Sequence, residues 1–328
     1  MSWPGVTQRR VATNGISLNI AEAGKGPLVL LLHGFPESWY SWRHQFAPIA
    51  AAGYHVVAPD MRGYGKSDKP HEITAYCQTE VVNDIMGLIP ALGYETAIVI
   101  GHDWGAPTAW ATALHHPDKV RAVGALSVPF MPRSPVQPMP MMREMFKGQF
   151  FYQLYFQEPG VAEAEFEADI RRSLRKFLIL AGGETDLTKL PVKTDKDDLL
   201  SNLQEPERLP AWLSEDDLDF YAGEFSGSGM RGPINYYRNH DLYWEQTAGA
   251  PMSIQQPAMF VAGANDGVVM MAAAAIEMMP HFVTDLRINA MIPKVGHWTQ
   301  QEAPEAVNAY ILDFLAMVDA PALSGATA

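Results

Sequence analysis

The chain has 328 residues, more than the roughly 250–300 over which one hydrophobic core keeps growing, so a core domain with a subsidiary lobe is expected. An apolar share of 48% and a charged share of 19% exclude a disordered chain, and a formal net charge of −13 disfavours nucleic acid, whose phosphates are bound through Lys and Arg. No apolar run approaches the roughly 20 residues that cross a bilayer, and Met1–Arg10 has no apolar export stretch. The single cysteine, Cys77, cannot close an internal disulfide and reads as buried filler. A soluble, unexported, cytoplasmic protein with no membrane partner is expected; the oligomeric state stays open, a homodimer included.

In chain order, Arg9–Ala23 with Asn14-Gly15 at its centre predicts an antiparallel hairpin. Short runs rich in Val, Ile and Leu follow at Leu28–Leu32, Val56–Ala58, Ala97–Ile100, Val120–Leu126, Met259–Ala262 and Leu286–Ile292. Most lack polar alternation, as in parallel strands covered on both faces. Helical periodicity separates them, in Val81, Ile85, Leu88, Ile89 and Leu92 and again in Val307, Tyr310, Ile311, Phe314 and Leu315. Pro90 is expected to bend the first of these helices or end it early. The alternation predicts an open, mostly parallel α/β sheet with helices on both faces.

After Phe130 the alternation stops. Pro129, Pro132, Pro135, Pro138 and Pro140 mark a stiff connector. From Met141 to about Tyr243 the pattern is helical, with Phe166, Ile170, Leu174, Phe177 and Leu178 as one apolar stripe and Ser214 with Asp217 as a capping box. Gly182–Pro210 is polar and reads as a long excursion. The expected division is a core over 1–130, an inserted helical cap over 131–243, the rest of the core over 244–318 and a frayed tail over 319–328.

The chemistry is concentrated in Ile98-Val-Ile-Gly-His-Asp-Trp-Gly105, a buried strand running into G-x-D-x-G and a helix. Glycines on both sides permit a sharp turn that lifts the middle side chain above the sheet, a nucleophile elbow with Asp103 where Ser is usual. There the free N–H groups and dipole of the helix favour a carboxylate, which is ionised at neutral pH without help from a base. A plain helix N-cap is the other reading of this segment alone. The turn His33-Gly34-Phe35-Pro36, directly after a strand, stands where a second oxyanion donor is supplied, so the N–H groups of Phe35 and Trp104 are expected at one oxygen. His33 is expected to brace that turn, and Asp60–Ser67 to shape the floor of the site.

Two late strands end in Gly263-Ala-Asn-Asp266 and Val295-Gly-His297-Trp298. The order Asp103, Asp266, His297 is that of nucleophile, acid and base in hydrolases built on such sheets. The acid could instead follow Val120–Leu126, but that strand and its turn carry no Asp or Glu. A carboxylate nucleophile can displace a leaving group from saturated carbon to form an ester, which water activated by His297 then hydrolyses. No ligand-spaced histidine cluster and no phosphate-cradling glycine loop is present, so neither metal nor cofactor is expected.

With these motifs assembled, the chain resembles the epoxide hydrolases of the α/β-hydrolase fold from about Arg9 to Phe314. The residues carrying the resemblance are His33–Pro36, Gly101–Gly105, Tyr152-Gln-Leu-Tyr-Phe-Gln-Glu-Pro159, Arg231-Gly-Pro-Ile-Asn-Tyr-Tyr-Arg238 and Gly296-His-Trp-Thr-Gln300. Residue chemistry alone leaves Tyr152, Tyr155, Tyr221, Tyr236, Tyr237 and Tyr243 open as proton donors. The resemblance implies Tyr152 and Tyr237, and an apolar epoxide as substrate. Phe35, Pro36, Trp104, Phe151, Tyr155, Phe156 and Trp298 are expected to line its cavity. Pro107 departs from the family pattern but falls in a helix's first turn, where a missing N–H matters little. Two other readings remain: a dehalogenase, which shares the Asp nucleophile and His base but needs no tyrosine pair, and a hydrolase fold that only binds ligands.

Overall fold

The computed structural model describes residues 3–320. Eight strands form one sheet: β1 (Thr7–Thr13), β2 (Ile16–Gly24), β3 (Leu28–Leu32), β4 (His55–Pro59), β5 (Ala97–His102), β6 (Val120–Leu126), β7 (Ile254–Gly263) and β8 (Val283–Ile292). Their order is β1-β2-β4-β3-β5-β6-β7-β8, with β1, β2 and β4 paired antiparallel and every later neighbour parallel. The hairpin of β1 and β2 turns at Asn14 (φ 40°) and Gly15 (φ 75°), the pair of positive φ values that a tight two-residue turn requires. Strands β3 and β5 are buried along their whole length, as their unbroken apolar runs require. Edge strand β8 is largely half-exposed or exposed, which is why its apolar run is shorter than the strand.

Helices α1 (Phe46–Ala51), α2 (Gln78–Ala91) and α3 (Gly105–His115) connect the first strands, and α11 (Gly267–Met271), α12 (Ala273–Met278), α13 (Thr299–Glu302) and α14 (Pro304–Asp319) complete the core. The pair α2 and α3 packs on β1, β5 and β6, while α1 and α14 pack together on β2, β4, β7 and β8. Pro90 lies in the last turn of α2, which ends one residue later. Between β6 and β7 run α4 (Pro138–Met145), α5 (Tyr152–Tyr155), α6 (Val161–Glu167), α7 (Ile170–Leu180), α8 (Glu215–Ser228), α9 (Arg231–Asn235) and α10 (His240–Gln246).

Three expectations need correction or detail. The stripe from Phe166 to Leu178 belongs to two helices, because Asp169 starts a new one by accepting a hydrogen bond from Arg172 N at 3.1 Å. The tail does not begin at 319: Asp319 closes α14 and accepts bonds from Tyr54 and Arg121. The rest of the expected tail, 321–328, lies outside the described residues. The segment 182–210 is irregular as expected, with one short 3₁₀ turn at Leu187–Lys189. Among the described residues no helix is long and apolar enough to cross a membrane.

The capping box at α8 is reciprocal: Ser214 Oγ accepts from Asp217 N at 3.1 Å and Asp217 Oδ2 from Ser214 N at 2.9 Å. Ser214→Ala is expected to reduce the unfolding free energy by about 1 kcal/mol, measured by urea denaturation. An unchanged midpoint would mean that this helix end carries no stability.

Candidate active site

Strand order places the site. After β3 the chain adds β4 on one side and then returns to add β5 on the other, and such a reversal opens a crevice at the carboxyl ends of the flanking strands. The turns after β3 and β5 meet in that crevice. Backbones approach so closely that side chains have no room: a Cβ on Gly101 would lie 1.9 Å from Gly105 O, and one on Gly105 2.0 Å from Leu32 O. Asp103, at the bend, has φ 49°, an uncommon conformation for a residue with a side chain and a mark of functional turns.

The Asp103 carboxylate is held from two sides. Phe35 N donates to Oδ1 at 2.7 Å, and Oδ2 lies 3.3 Å from His297 Nε2. The Trp104 amide, expected beside Phe35, forms no hydrogen bond to Asp103 among the described residues. On its far side the His297 ring faces Asp266, with Nδ1 at 3.2 Å from Oδ2 and 3.3 Å from Oδ1. Asp266 is itself the N-cap of α11, accepting from Val268 N at 2.8 Å, and accepts from Ser127 Oγ at 2.6 Å. The three residues singled out from their strand ends thus lie on one line.

Burial alone would disfavour the charged imidazole, but the Asp266 charge, hydrogen bonds to Asp103 and Asp266 and the Asp103 charge together hold the His297 pKa well above the usual histidine range. Burial likewise works against ionised Asp266, and is outweighed by the His297 charge and by hydrogen bonds from His297, Ser127 and the Val268 amide, which hold its pKa low.

The sequence reading missed two residues. Glu37 follows the His33–Pro36 turn and is fully buried, which a lone Glu in sequence does not suggest. Its carboxylate accepts from Gly34 N at 3.0 Å, Gln300 Nε2 at 3.0 Å and Gln301 Nε2 at 3.2 Å. It also faces His102 Nδ1 at 2.8 Å, while His102 Nε2 lies 2.7 Å from the His297 carbonyl. Glu37 thereby ties the turn after β3 to the loop carrying His297. Ser127, the second omission, follows β6 and contacts both Asp266 and His297 Nδ1. The signal for it was its position at the carboxyl end of a central strand. His33 braces its turn as expected: Nε2 accepts from Met61 N at 3.0 Å and Nδ1 lies 2.9 Å from Gly34 O.

An aromatic wall closes over Asp103. The Phe35 ring stands 5.5 Å from Phe156, 5.8 Å from Phe166, 5.5 Å from Phe177 and 5.6 Å from Tyr237. Tyr237 is 5.1 Å from Trp104 and 5.8 Å from Tyr152, and Trp298 is 4.7 Å from His297. Burial, reinforced by the Asp103 charge, pushes the phenols of Tyr152 and Tyr237 well above their usual pKa. Pro36 follows a cis peptide bond and is buried in the turn, and Phe151 stacks on Phe146 at 4.0 Å. Tyr155, expected as a lining residue, has its hydroxyl engaged by a carboxylate. Its hydroxyl donates to Glu165 Oε2 at 3.0 Å, and Glu165 also holds the amides of Leu199 and Leu200. Pro107 lies in the first turn of α3.

A family model described as the alpha/beta hydrolase fold matches residues 27–304. Epoxide hydrolase A of Mycobacterium tuberculosis is 43% identical over 314 residues, covering 94% of this chain and 97% of its own. The chain belongs to the epoxide hydrolases of the α/β-hydrolase fold. Epoxide hydrolase 3 of Siraitia grosvenorii is 39% identical, with 93% and 96% covered. Among solved structures, an epoxide hydrolase from an endophytic Streptomyces superposes with a TM-score of 0.92 at 43% identity, covering 95% of this chain and 96% of that one. Epoxide hydrolase A from Mycobacterium thermoresistibile gives 0.89 at 44%, covering 94% and 98%.

Because the Asp103 charge helps keep His297 protonated, Asp103→Asn is expected to lower the His297 pKa. Histidine side-chain NMR titration of both proteins reads this. An equal or higher value in the variant would mean that the two groups are not coupled.

Proposed function

We propose that the chain adds water to an apolar epoxide to give a vicinal diol, through an alkyl ester on Asp103, beneath a helical cap formed by 131–243. The observation that carries this reading is the pair of phenols, buried Tyr237 and half-buried Tyr152, standing near a carboxylate that faces a histidine. Oδ1 is engaged by the Phe35 amide, which leaves Oδ2 to attack an epoxide carbon. As the carbon–oxygen bond breaks, the strongly basic alkoxide takes a proton from a tyrosine, whose raised pKa keeps that proton available. A halide would leave without one, so the phenol pair separates this reading from dehalogenation.

The ester removes the Asp103 charge, and with it one of the influences that favour protonated His297. The neutral imidazole then takes a proton from water, the hydroxide adds to Cγ, and the Phe35 and Trp104 amides receive the oxyanion. Collapse releases the diol and restores the carboxylate. His297 gives its resting proton to the tyrosinate once the ester has formed; of the two water protons, one reaches the diol oxygen through His297 and the other returns to the ring, which restores the resting imidazolium beside the Asp103 carboxylate.

Two experiments test the steps separately. With styrene oxide, His297→Gln is expected to accumulate a substrate-sized mass gain on the peptide containing Asp103, and Asp103→Asn to lose turnover altogether; a mass gain on another peptide would displace Asp103 as nucleophile. Replacing both Tyr152 and Tyr237 with Phe is expected to slow ester formation by about 10²–10⁴-fold, the usual worth of general acid catalysis, with the circular dichroism spectrum unchanged. In the unmodified chain ester formation should not decline up to about pH 10, the ordinary phenol range, since both phenols titrate above it. Retained ring opening in the double variant would exclude these tyrosines as the acid.

A further inference from the structure

The Asp266–His297 contact contains a third group. Ser127 Oγ lies 3.0 Å from His297 Nδ1, nearer than either Asp266 oxygen at 3.2 and 3.3 Å, and 2.6 Å from Asp266 Oδ2. A hydroxyl has one hydrogen to donate, and the carboxylate can only accept, so the Ser127 hydrogen goes to Asp266. Its oxygen is then left to accept, and the contact with Nδ1 is satisfied only when that nitrogen carries the ring proton. Nε2, facing Asp103 Oδ2 at 3.3 Å, is then the nitrogen that loses its proton when the ring becomes neutral, so the neutral ring has its basic nitrogen toward the nucleophile.

The backbone gives a second, independent indication. Ser127 has φ 70°, where glycine sits without strain and a side chain does not. Its amide is committed to Val261 O at 3.1 Å across to β7, so the turn is anchored in the sheet, and the residue is fully buried. A glycine would make the same turn with less strain but would leave the histidine and the acid without their bridge.

We infer that Ser127 is a positioning residue of the base: its hydroxyl, bridging His297 Nδ1 and Asp266 Oδ2, holds the imidazole in the tautomer and orientation needed to take a proton from water. This rests on the ester pathway above. Ester breakdown depends on Ser127, whereas ester formation, which uses Asp103 and the phenols, does not.

Single-turnover measurements with styrene oxide on the unmodified chain, Ser127→Ala and Ser127→Gly separate the two steps, with the ester followed by mass on the Asp103 peptide. Breakdown is expected to slow about tenfold in both variants, a modest part of the usual 10²–10⁴-fold worth of a general base, with formation unchanged. In the steady state kcat and KM then fall together and kcat/KM stays within about twofold, the signature of a slowed second step. Ser127→Gly also relieves the backbone strain, which offsets part of the lost hydrogen bond to Asp266, so its melting temperature should lie above that of Ser127→Ala while its breakdown defect persists. A purely structural serine would instead give a breakdown defect that shrinks from Ala to Gly as the melting temperature recovers, or loss of both steps together. Breakdown within about twofold of the unmodified rate in Ser127→Gly, or equal slowing of formation, overturns the inference. Failure to trap any ester in His297→Gln would sink the underlying pathway instead, so the two failures are distinguishable.

Discussion

One imidazole lies between two carboxylates in a deeply buried site, and the surrounding structure serves to keep it there. Asp103 and Asp266 approach opposite ring nitrogens of His297, whose side chain is 8% exposed. Charges buried this deeply are tolerated only where hydrogen bonds replace the lost water. Phe35 N supplies one such bond to Asp103, while Val268 N and Ser127 Oγ supply two to Asp266. Each donor comes from the end of a different strand, and so sheet topology has an electrostatic consequence. The loops after β3, β5, β6, β7 and β8 all contribute.

Glycine at a few positions makes this convergence sterically feasible. The elbow exists because Gly101 and Gly105 leave no Cβ between β3, β5 and α3. A comparable junction holds the histidine loop. A Cβ on Gly296 would lie 2.2 Å from Gly183 N, and one on Gly263 2.2 Å from Gly296 O. Glu302 accepts from the amides of Gly183, Gly296 and Trp298, His297 N donates to Ala181 O, and Trp298 Nε1 donates to Leu178 O. The His297 loop is therefore fastened to the end of α7 and the start of the excursion as well as to the sheet. Its alignment depends on the inserted helices staying docked.

How much of this was legible in the sequence follows from which forces leave a pattern. Continuous apolar runs located β3 and β6 to the residue, because both faces of those strands are covered. They undershot β7 and β8, where polar residues and an edge position break the run. The elbow and the late Asp and His were readable because tight turns and strand ends constrain residue type. The break between α6 and α7 was not, since the apolar stripe continues across Asp169 and hides the cap. Glu37 and Ser127 were passed over for chemical reasons. A lone Glu is ordinarily solvated, and a hydroxyl in the turn after β6 carries no charge that would mark it as a partner of the late Asp and His. Tyr155 lies one helical turn from Tyr152, yet its hydroxyl goes to Glu165, and no periodicity foretells which of two neighbouring tyrosines turns inward.

The same charge arrangement orders the proposed chemistry in time. While Asp103 is ionised, its field helps keep His297 protonated, so the resting site pairs an anionic nucleophile with an imidazole that is a poor base. Attack on carbon converts that carboxylate to a neutral ester and withdraws one of the two anions. His297 then faces only Asp266, its affinity for the ring proton falls, and the neutral base needed for water activation becomes available after the ester exists and not before. Direct removal of protons from water in the free enzyme is thereby suppressed by the charge of the group that must act first. Asp266 remains charged throughout, with hydrogen bonds from Ser127 and the start of α11 that do not depend on Asp103, so the base keeps its orientation when the nucleophile's charge is gone.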